Sequence, residues 1–151
     1  ESDTVHDTLN SMVDYYHPYA KEKGLELIFE VKDTCPGFYS PVVIGTIAGN
    51  LIKNALLYTA QGYVKVTETA TGFEVVDTGP GIDSENKDRI FSPHTRATDQ
   101  QQGSGMGLSI VKRLCDRFGW KVELVSQRPQ GACFKIVLLT GKTVARADQS
   151  R

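Results

Sequence analysis

The feature that most constrains this chain is a change of hydrophobic period at Gly24. Before it, Val5, Leu9, Met12, Val13, Tyr16, Tyr19 and Ala20 recur at helical spacing, which predicts a helix over Thr4 to Lys23 with a kink at Pro18. After it, Leu25, Leu27, Phe29 and Val31 alternate with Glu26, Ile28 and Glu30, the period of a half-buried strand. A chain that switches between these periods must lay helices against a sheet, because each element has one apolar face to bury.

The switching continues to the end of the chain. Asp33 to Pro41 is a connector with two prolines and a glycine. A second helix is expected from Val42 to Thr59, with Ile44, Ile47, Ala48, Leu51, Ile52 and Ala55 inward. Strands Tyr63 to Thr69 and Phe73 to Asp77 follow, joined as a hairpin at Ala70-Thr71-Gly72. Thr78 to Gly107 reads as loop apart from a helical turn near Ser84 to Phe91. A third helix runs from Gly107 to Phe118, with Leu108, Val111, Leu114, Cys115 and Phe118 inward and Gly119 as its stop. Strands Lys121 to Ser126 and Ala132 to Leu139 close the fold, and the small and polar residues beyond Thr140 read as a disordered tail. This is the pattern of an α+β domain, one sheet covered on one face by helices.

Composition removes several classes of function. With 17 basic against 18 acidic residues the net charge is -1, so neither nucleic acid nor an anionic membrane would be drawn in by bulk charge. The longest nearly apolar stretch, Val42 to Ala48, falls short of the roughly 20 residues of a membrane helix, and no secretory signal opens the chain. Cys35, Cys115 and Cys133 are widely spaced, without a Cys-x-x-Cys pair and without His6, His17 or His94 nearby. They read as reduced thiols in a cytosolic domain rather than as zinc ligands or a disulfide framework. The chain opens at Glu1 rather than at a methionine, which reads as a piece of a longer protein.

Four clusters carry candidate chemistry. Asn50 and Asn54, four apart, share one face at the border of the second helix's apolar stripe. Either they face solvent, or their half-buried amides serve a polar client, since an unpartnered amide out of water costs on the order of 1–3 kcal/mol. Asp77-Thr78-Gly79-Pro80-Gly81-Ile82 places a carboxylate at a strand end beside two glycines. It is either an ordinary turn or an acceptor for an exocyclic amine, next to backbone that a flat ring can approach. Arg89 to Arg96 leads into the polar run Ala97 to Gln102, which suits a mobile lid. Arg96 at its root is either a solvated surface residue or a phosphate contact. Gly103-Ser104-Gly105-Met106-Gly107-Leu108 opens the third helix, where glycine backbone and free amides form an anion site. Its Gly-x-Gly-x-Gly spacing after a glutamine run does not fit a dinucleotide fold. Gly141-Lys142-Thr143 lacks the first glycine of a Walker loop, having Ile136 in its place.

Together the clusters resemble the catalytic and ATP-binding domain of bacterial sensor histidine kinases, within the GHKL ATPase superfamily. Asn50 to Asn54 with Ala55, Tyr58 and Thr59 is similar to the N box. Asp77 to Ile82 is similar to the first glycine box, Ile90-Phe91-Ser92-Pro93 to the F box, and Gly103 to Leu108 to the second glycine box. The resemblance covers about Thr4 to Leu139 and implies a two-layer α/β sandwich, a mixed sheet of about five strands under three helices. It implies a domain over residues 1–140 and a tail over 141–151. It further implies ATP and Mg²⁺ as cofactors: Asn54 as the magnesium ligand with Asn50 beside it, Tyr58 against the adenine ring, and Asp77 on its amine. Gly79, Gly81 and Ile82 would shape the adenine pocket. Gly103, Ser104, Gly105, Met106, Gly107 and Leu108 would hold the phosphates, and Arg96 would approach the γ-phosphate. Asn54 and Arg96 would be the catalytic pair.

The implied reaction is transfer of the γ-phosphoryl group to a histidine on a separate dimerisation domain, which later passes it to a response regulator. The parent would be an inner-membrane sensor whose catalytic part is cytoplasmic and touches no membrane itself. Leu57 stands where many members carry a phosphate-binding lysine. Lys53 points about 100° away around the helix, Pro93-His94 replaces Pro-Phe, and the lid is short and glutamine-rich. His6-Asp7 lacks the proline of the usual acceptor motif, and only 43 residues separate His6 from Asn50, too few for a helical hairpin. Two other readings remain: a degenerate nucleotide-sensing or docking module without transfer, and a serine-directed relative of the anti-sigma type.

Overall fold

A computed structural model describes residues 2–79, 107–126 and 131–138. In chain order the elements are α1 (Val5–Glu22), β1 (Glu26–Val31), α2 (Pro41–Tyr58), β2 (Tyr63–Thr69), β3 (Gly72–Asp77), α3 (Gly107–Phe118), β4 (Lys121–Ser126) and β5 (Ala132–Val137). The strands form one sheet in the order β1-β2-β3-β5-β4. β1 pairs with β2 in parallel and the other pairs are antiparallel. The sheet is mixed and five-stranded, with the three helices on one face, as the resemblance implied.

The helix starts are set by local chemistry. Thr4 accepts a hydrogen bond from the Asp7 amide at 3.1 Å, and Ser40 accepts one from Val43 at 3.3 Å with Pro41 in the first turn. Each satisfies a donor that a helix start leaves open. α2 lies between α1 and α3 and supplies the centre of the core, with Ile44, Ile47, Ala48, Leu51 and Ile52 at most 1 % exposed. Its two glycines admit α1 closely: a Cβ on Gly49 would stand 2.8 Å from Met12 Cε, and one on Gly45 3.5 Å from Met12 Sδ.

Strand register arranges the helix-facing side chains in three rows across the sheet. Leu27, Val64, Asp77 and Ala132 form the first; Phe29, Val66, Val75, Phe134 and Leu124 the second; Val31, Glu68, Phe73, Ile136 and Val122 the third. The middle row is wholly apolar, and each outer row contains one carboxylate. Glu68 is fully buried and fully employed. Oε1 lies 3.0 Å from His6 Nδ1 in the first turn of α1, and Oε2 accepts the Cys35 amide at 2.8 Å. One side chain therefore ties the start of α1, the connector before α2 and the sheet together.

Several expectations change in detail. α1 runs through Pro18 without ending, because the carbonyl that loses its partner, on Asp14, belongs to an exposed residue and can turn to water. The hairpin turn is two residues, Ala70 and Thr71; Gly72 is already in β3, opposite Thr69. β5 ends at Val137, one residue short of the fully buried Leu138. Phe118, expected inward, is 45 % exposed and stacks on Trp120 at 4.8 Å, since Gly119 turns the chain at φ 75°. α2 is, by length and composition, apolar enough to cross a membrane, which its segment Val42 to Ala48 understates. Half of it is buried inside the domain, as befits a core helix. Leu139, the turn expected at 84–91 and the tail from 141 lie outside the described residues.

All three cysteines are buried. Burial pushes the Cys35 thiol up to about 12, with Glu68 adding to the effect, and the Cys115 thiol up to about 11, so both stay protonated and unreactive at neutral pH. Glu68→Ala is expected to destabilise the domain by about 1–3 kcal/mol, since it orphans the buried Cys35 amide, and urea unfolding checks this.

Candidate functional site

The C-terminal half of α2 presents the first candidates. Asn50 and Asn54 are both half-buried, between solvent and the core face. The Asn50 amide nitrogen donates to the Thr46 carbonyl one turn earlier at 2.7 Å. This bond leaves Oδ1 pointing outward, towards the start of α3, where a Cβ on Gly107 would lie 3.0 Å from it. The absence of a side chain at Gly107 is thus what lets the α3 N-terminus and the α2 asparagine meet. Lys53 is exposed and Leu57 half-buried.

The last turn of α2 is pinned from outside. Lys23, which caps α1, donates through Nζ to the carbonyls of Leu56 and Leu57, placing a cation at the negative end of the helix. Tyr58 ends α2, and the Thr59 amide bonds back to Ala55 at 3.0 Å. Thr59 is fully buried, and its hydroxyl has no hydrogen-bond partner.

Asp77 closes β3 beside this turn. Its Oδ1 accepts the Gly79 amide at 2.8 Å, and the Ala132 amide from β5 also reaches the carboxylate. Thr78 locks the next step, its hydroxyl accepting from the Tyr63 amide at 3.1 Å and donating to the Gln61 carbonyl at 2.9 Å. Around Gly79 three oxygens converge: the point where a Cβ would stand is 3.1 Å from Asp77 Oδ1, 3.1 Å from the Tyr58 carbonyl and 3.2 Å from Thr59 Oγ1. Gly131, at φ 98°, sits against the Asp77 carbonyl from the other side.

Three of the four sequence clusters therefore come together through the end of α2: Asn50 with Gly107, and Tyr58 and Thr59 with Asp77 and Gly79. Leu108 buries its side chain in the core, so only its backbone is available to a ligand. At the α3 start, as at any helix N-terminus, the first amides have no acceptor within the helix. Gly81, Ile82, Arg96, Gly103, Ser104, Gly105 and Met106 lie outside the described residues, as does the F box. Among the described residues no group of three or more His, Cys, Asp or Glu could hold a metal. The side-chain oxygen placed at the start of α3 is the amide oxygen of Asn50. Thr59 closes the N-box-like stretch, but nothing in the sequence marks its hydroxyl as buried and unpartnered.

Residues 39–142 match the family of histidine kinase-, DNA gyrase B- and HSP90-like ATPases. The chain belongs to that family. Within it, the chain is similar to sensor histidine kinases. It is 32 % identical over 148 residues to the autoinducer 2 sensor kinase/phosphatase LuxQ of Vibrio parahaemolyticus, covering 87 % of this chain and 17 % of LuxQ. It is 34 % identical over 136 residues to the adaptive-response sensory kinase SasA of Crocosphaera subtropica, covering 84 % of this chain and 36 % of SasA. The chain thus spans a sixth to about a third of the length of these curated relatives. Full-length ShkA, solved in complex with AMPPNP, superposes with a TM-score of 0.79 at 28 % identity, covering 93 % of this chain and 32 % of ShkA. The cytoplasmic segment of histidine kinase QseC shares the fold, with a TM-score of 0.69 at 24 % identity over 92 % of this chain and 77 % of that segment. This ATPase-family domain is homologous to the ATP-binding domains of sensor histidine kinases.

Burial raises the Asp77 carboxyl above its usual value of 3.8, while the Gly79 and Ala132 amides act in the opposite direction. A carboxylate raised in the folded state holds protons that the unfolded chain has released. Its contribution is therefore greatest below 3.8 and declines as pH climbs through the folded value. Asp77→Asn keeps an acceptor for Gly79 and removes the buried charge. It should stabilise the nucleotide-free domain at neutral pH, with the advantage shrinking as pH falls towards 3.8, measurable in thermal melts of both proteins across that range.

Proposed function

We propose that this chain is the catalytic and ATP-binding domain of a sensor histidine kinase, passing the γ-phosphoryl group of ATP to a histidine on a separate dimerisation domain. The observation that carries the reading is the convergence of Asp77, Gly79 and the end of α2 in a family whose members are ATPases. A buried carboxylate suits an adenine amine, which donates only, and Tyr58 ends the helix beside it. Asn50 and the glycine-opened start of α3 suit phosphates, and Arg96 would bring a cation to the γ-phosphate. That the relative ShkA was solved with AMPPNP supports the same ligand class here.

A magnesium ion accompanying the nucleotide would neutralise part of the triphosphate charge, and the residues present fit it. Asn54, with Asn50 beside it, offers neutral amide oxygens, which add a ligand without repelling phosphate. The work of the protein is positioning and charge neutralisation. The bond from the γ-phosphorus to the bridging oxygen breaks, a phosphorus–nitrogen bond forms to the acceptor imidazole, and ADP leaves with the bond's electron pair.

The acceptor belongs on another domain. His6 contacts Glu68 in the third row of the sheet, whereas Asp77 is in the first. Val64 and Glu68 are four residues apart on β2, about 13 Å at strand rise, so the one described histidine held by the sheet sits at the far end from the candidate site. The parent protein, like its sensor-kinase relatives, would place this domain in the cytoplasm and hand the phosphoryl group to a response regulator.

Calorimetric titration with ATP, with and without Mg²⁺, tests the pocket. Binding should require or be strengthened by magnesium, and Asp77→Asn should weaken it by about 1.5 kcal/mol or more, the worth of a hydrogen bond to a charged group. Adding the cognate dimerisation domain with labelled ATP should yield an acid-labile phosphohistidine. Tight binding without any labelling would instead favour the nucleotide-sensing module, for which Leu57 and the lid sequence speak.

A further inference from the structure

We propose that Lys23 is a positioning residue for the nucleotide site: its ammonium holds the last turn of α2 in place beside Asp77 and Gly79, and nucleotide affinity depends on that hold. The inference rests on the nucleotide-binding reading and extends it to a residue on another helix, to which that reading gives no role.

α1 and α2 end in different ways. A helix leaves its last four carbonyls without partners inside the helix. α1 meets the need with its own backbone. Gly24 turns the chain at φ 75°, and the Gly24 and Leu25 amides return to the Lys21 and Ala20 carbonyls at 3.0 and 2.9 Å. This is the common glycine-assisted ending. α2 leaves instead through an extended residue, Thr59 at φ -92° and ψ 121°. Its open carbonyls belong to Ala55, Leu56, Leu57 and Tyr58. The Thr59 amide takes Ala55 at 3.0 Å. Lys23 Nζ takes the next two, Leu56 at 2.5 Å and Leu57 at 3.2 Å. The Tyr58 carbonyl faces the candidate site, 3.1 Å from the point where a Cβ on Gly79 would stand.

The side chain of one helix therefore does for α2 what a returning backbone does for α1. Among the described residues no carboxylate pairs with Lys23, so its charge is spent on the negative end of α2. Without the ammonium, the Leu56 and Leu57 carbonyls would have to tilt towards water or tighten the last turn. Either change rotates Tyr58 and shifts the step into Thr59. Asp77 would not follow, because it is held separately in the sheet opposite Val64 and Ala132. The two walls of the proposed site belong to different layers of the fold, and Lys23 sets the helical wall.

The test compares wild type, Lys23→Met, Lys23→Arg and Glu68→Ala by calorimetric titration with Mg-ATP, well below the melting range of each. Lys23→Met keeps the stem and removes the donors. It should bind ATP about three- to tenfold more weakly, the scale of one hydrogen bond. Lys23→Arg restores a cation with two donors and should bind within about twofold of wild type. Glu68→Ala loosens the fold at the other end of the sheet and should also bind within about twofold, as distant sites act independently. Unchanged ATP affinity in Lys23→Met overturns the proposal. So does an equal loss in Glu68→Ala, which would make the effect one of general stability, or in Lys23→Arg, which would assign it to the stem. If Lys23→Met fails to fold, Lys23→Gln takes its place under the same criteria. Wild type that does not bind Mg-ATP defeats the functional reading itself and this inference with it, a result distinct from the others.

Discussion

The pleat of the central sheet puts two carboxylates on a face that must otherwise be apolar, and the rest of the molecule is arranged around how each is satisfied. Glu68 and Asp77 are separated by the uninterrupted middle row of Phe29, Val66, Val75, Phe134 and Leu124. At the Glu68 end the protein supplies everything: an imidazole from α1 and an amide from the connector. At the Asp77 end the described residues supply two backbone amides, with the unpartnered Thr59 hydroxyl and the closely packed Gly79 beside them. One end of the sheet is a fastening; the other is where the proposed site lies.

That asymmetry sets stability against the proposed recognition at the junction of α2 and β3. Buried charge and an unmet hydroxyl both destabilise the nucleotide-free fold, and both lie at the junction of α2 and β3. The remaining core, from Val5 and Leu9 on α1 through Ile44, Ile47 and Ile52 on α2 to Phe73 and Ile136 in the sheet, is fully buried and apolar. Local conflict on a consistent background is the signature of a functional site.

Much of this was legible in the sequence. Periodicity located the eight described elements, because these helices and strands each keep a clean apolar face, while of the two glycine boxes only Asp77, Thr78, Gly79, Gly107 and Leu108 lie among the described residues. The misread positions share a cause. Phe118 and Pro18 obey local rules that the sequence displays, but whether a ring is covered or a carbonyl reaches water depends on neighbours distant in the chain. The same holds for Glu68, which in the sequence is one of several glutamates, and for Thr59, whose meaning is the absence of a partner. Lys23 ends one helix, yet its ammonium serves the end of another, a pairing that only the packing of α1 beside α2 creates.

The position of β5 has a consequence for how such a domain is made. β5 is the last of the described strands yet lies inside the sheet, between β3 and β4, and it contributes the Ala132 amide to Asp77. During synthesis from the N-terminus, α1, α2 and the β1–β2–β3 half can emerge and begin to collapse, but Asp77 lacks one wall until β5 has left the ribosome. The candidate site at Asp77 is therefore assembled by strand insertion, and its walls meet only once β5 has slotted in between β3 and β4.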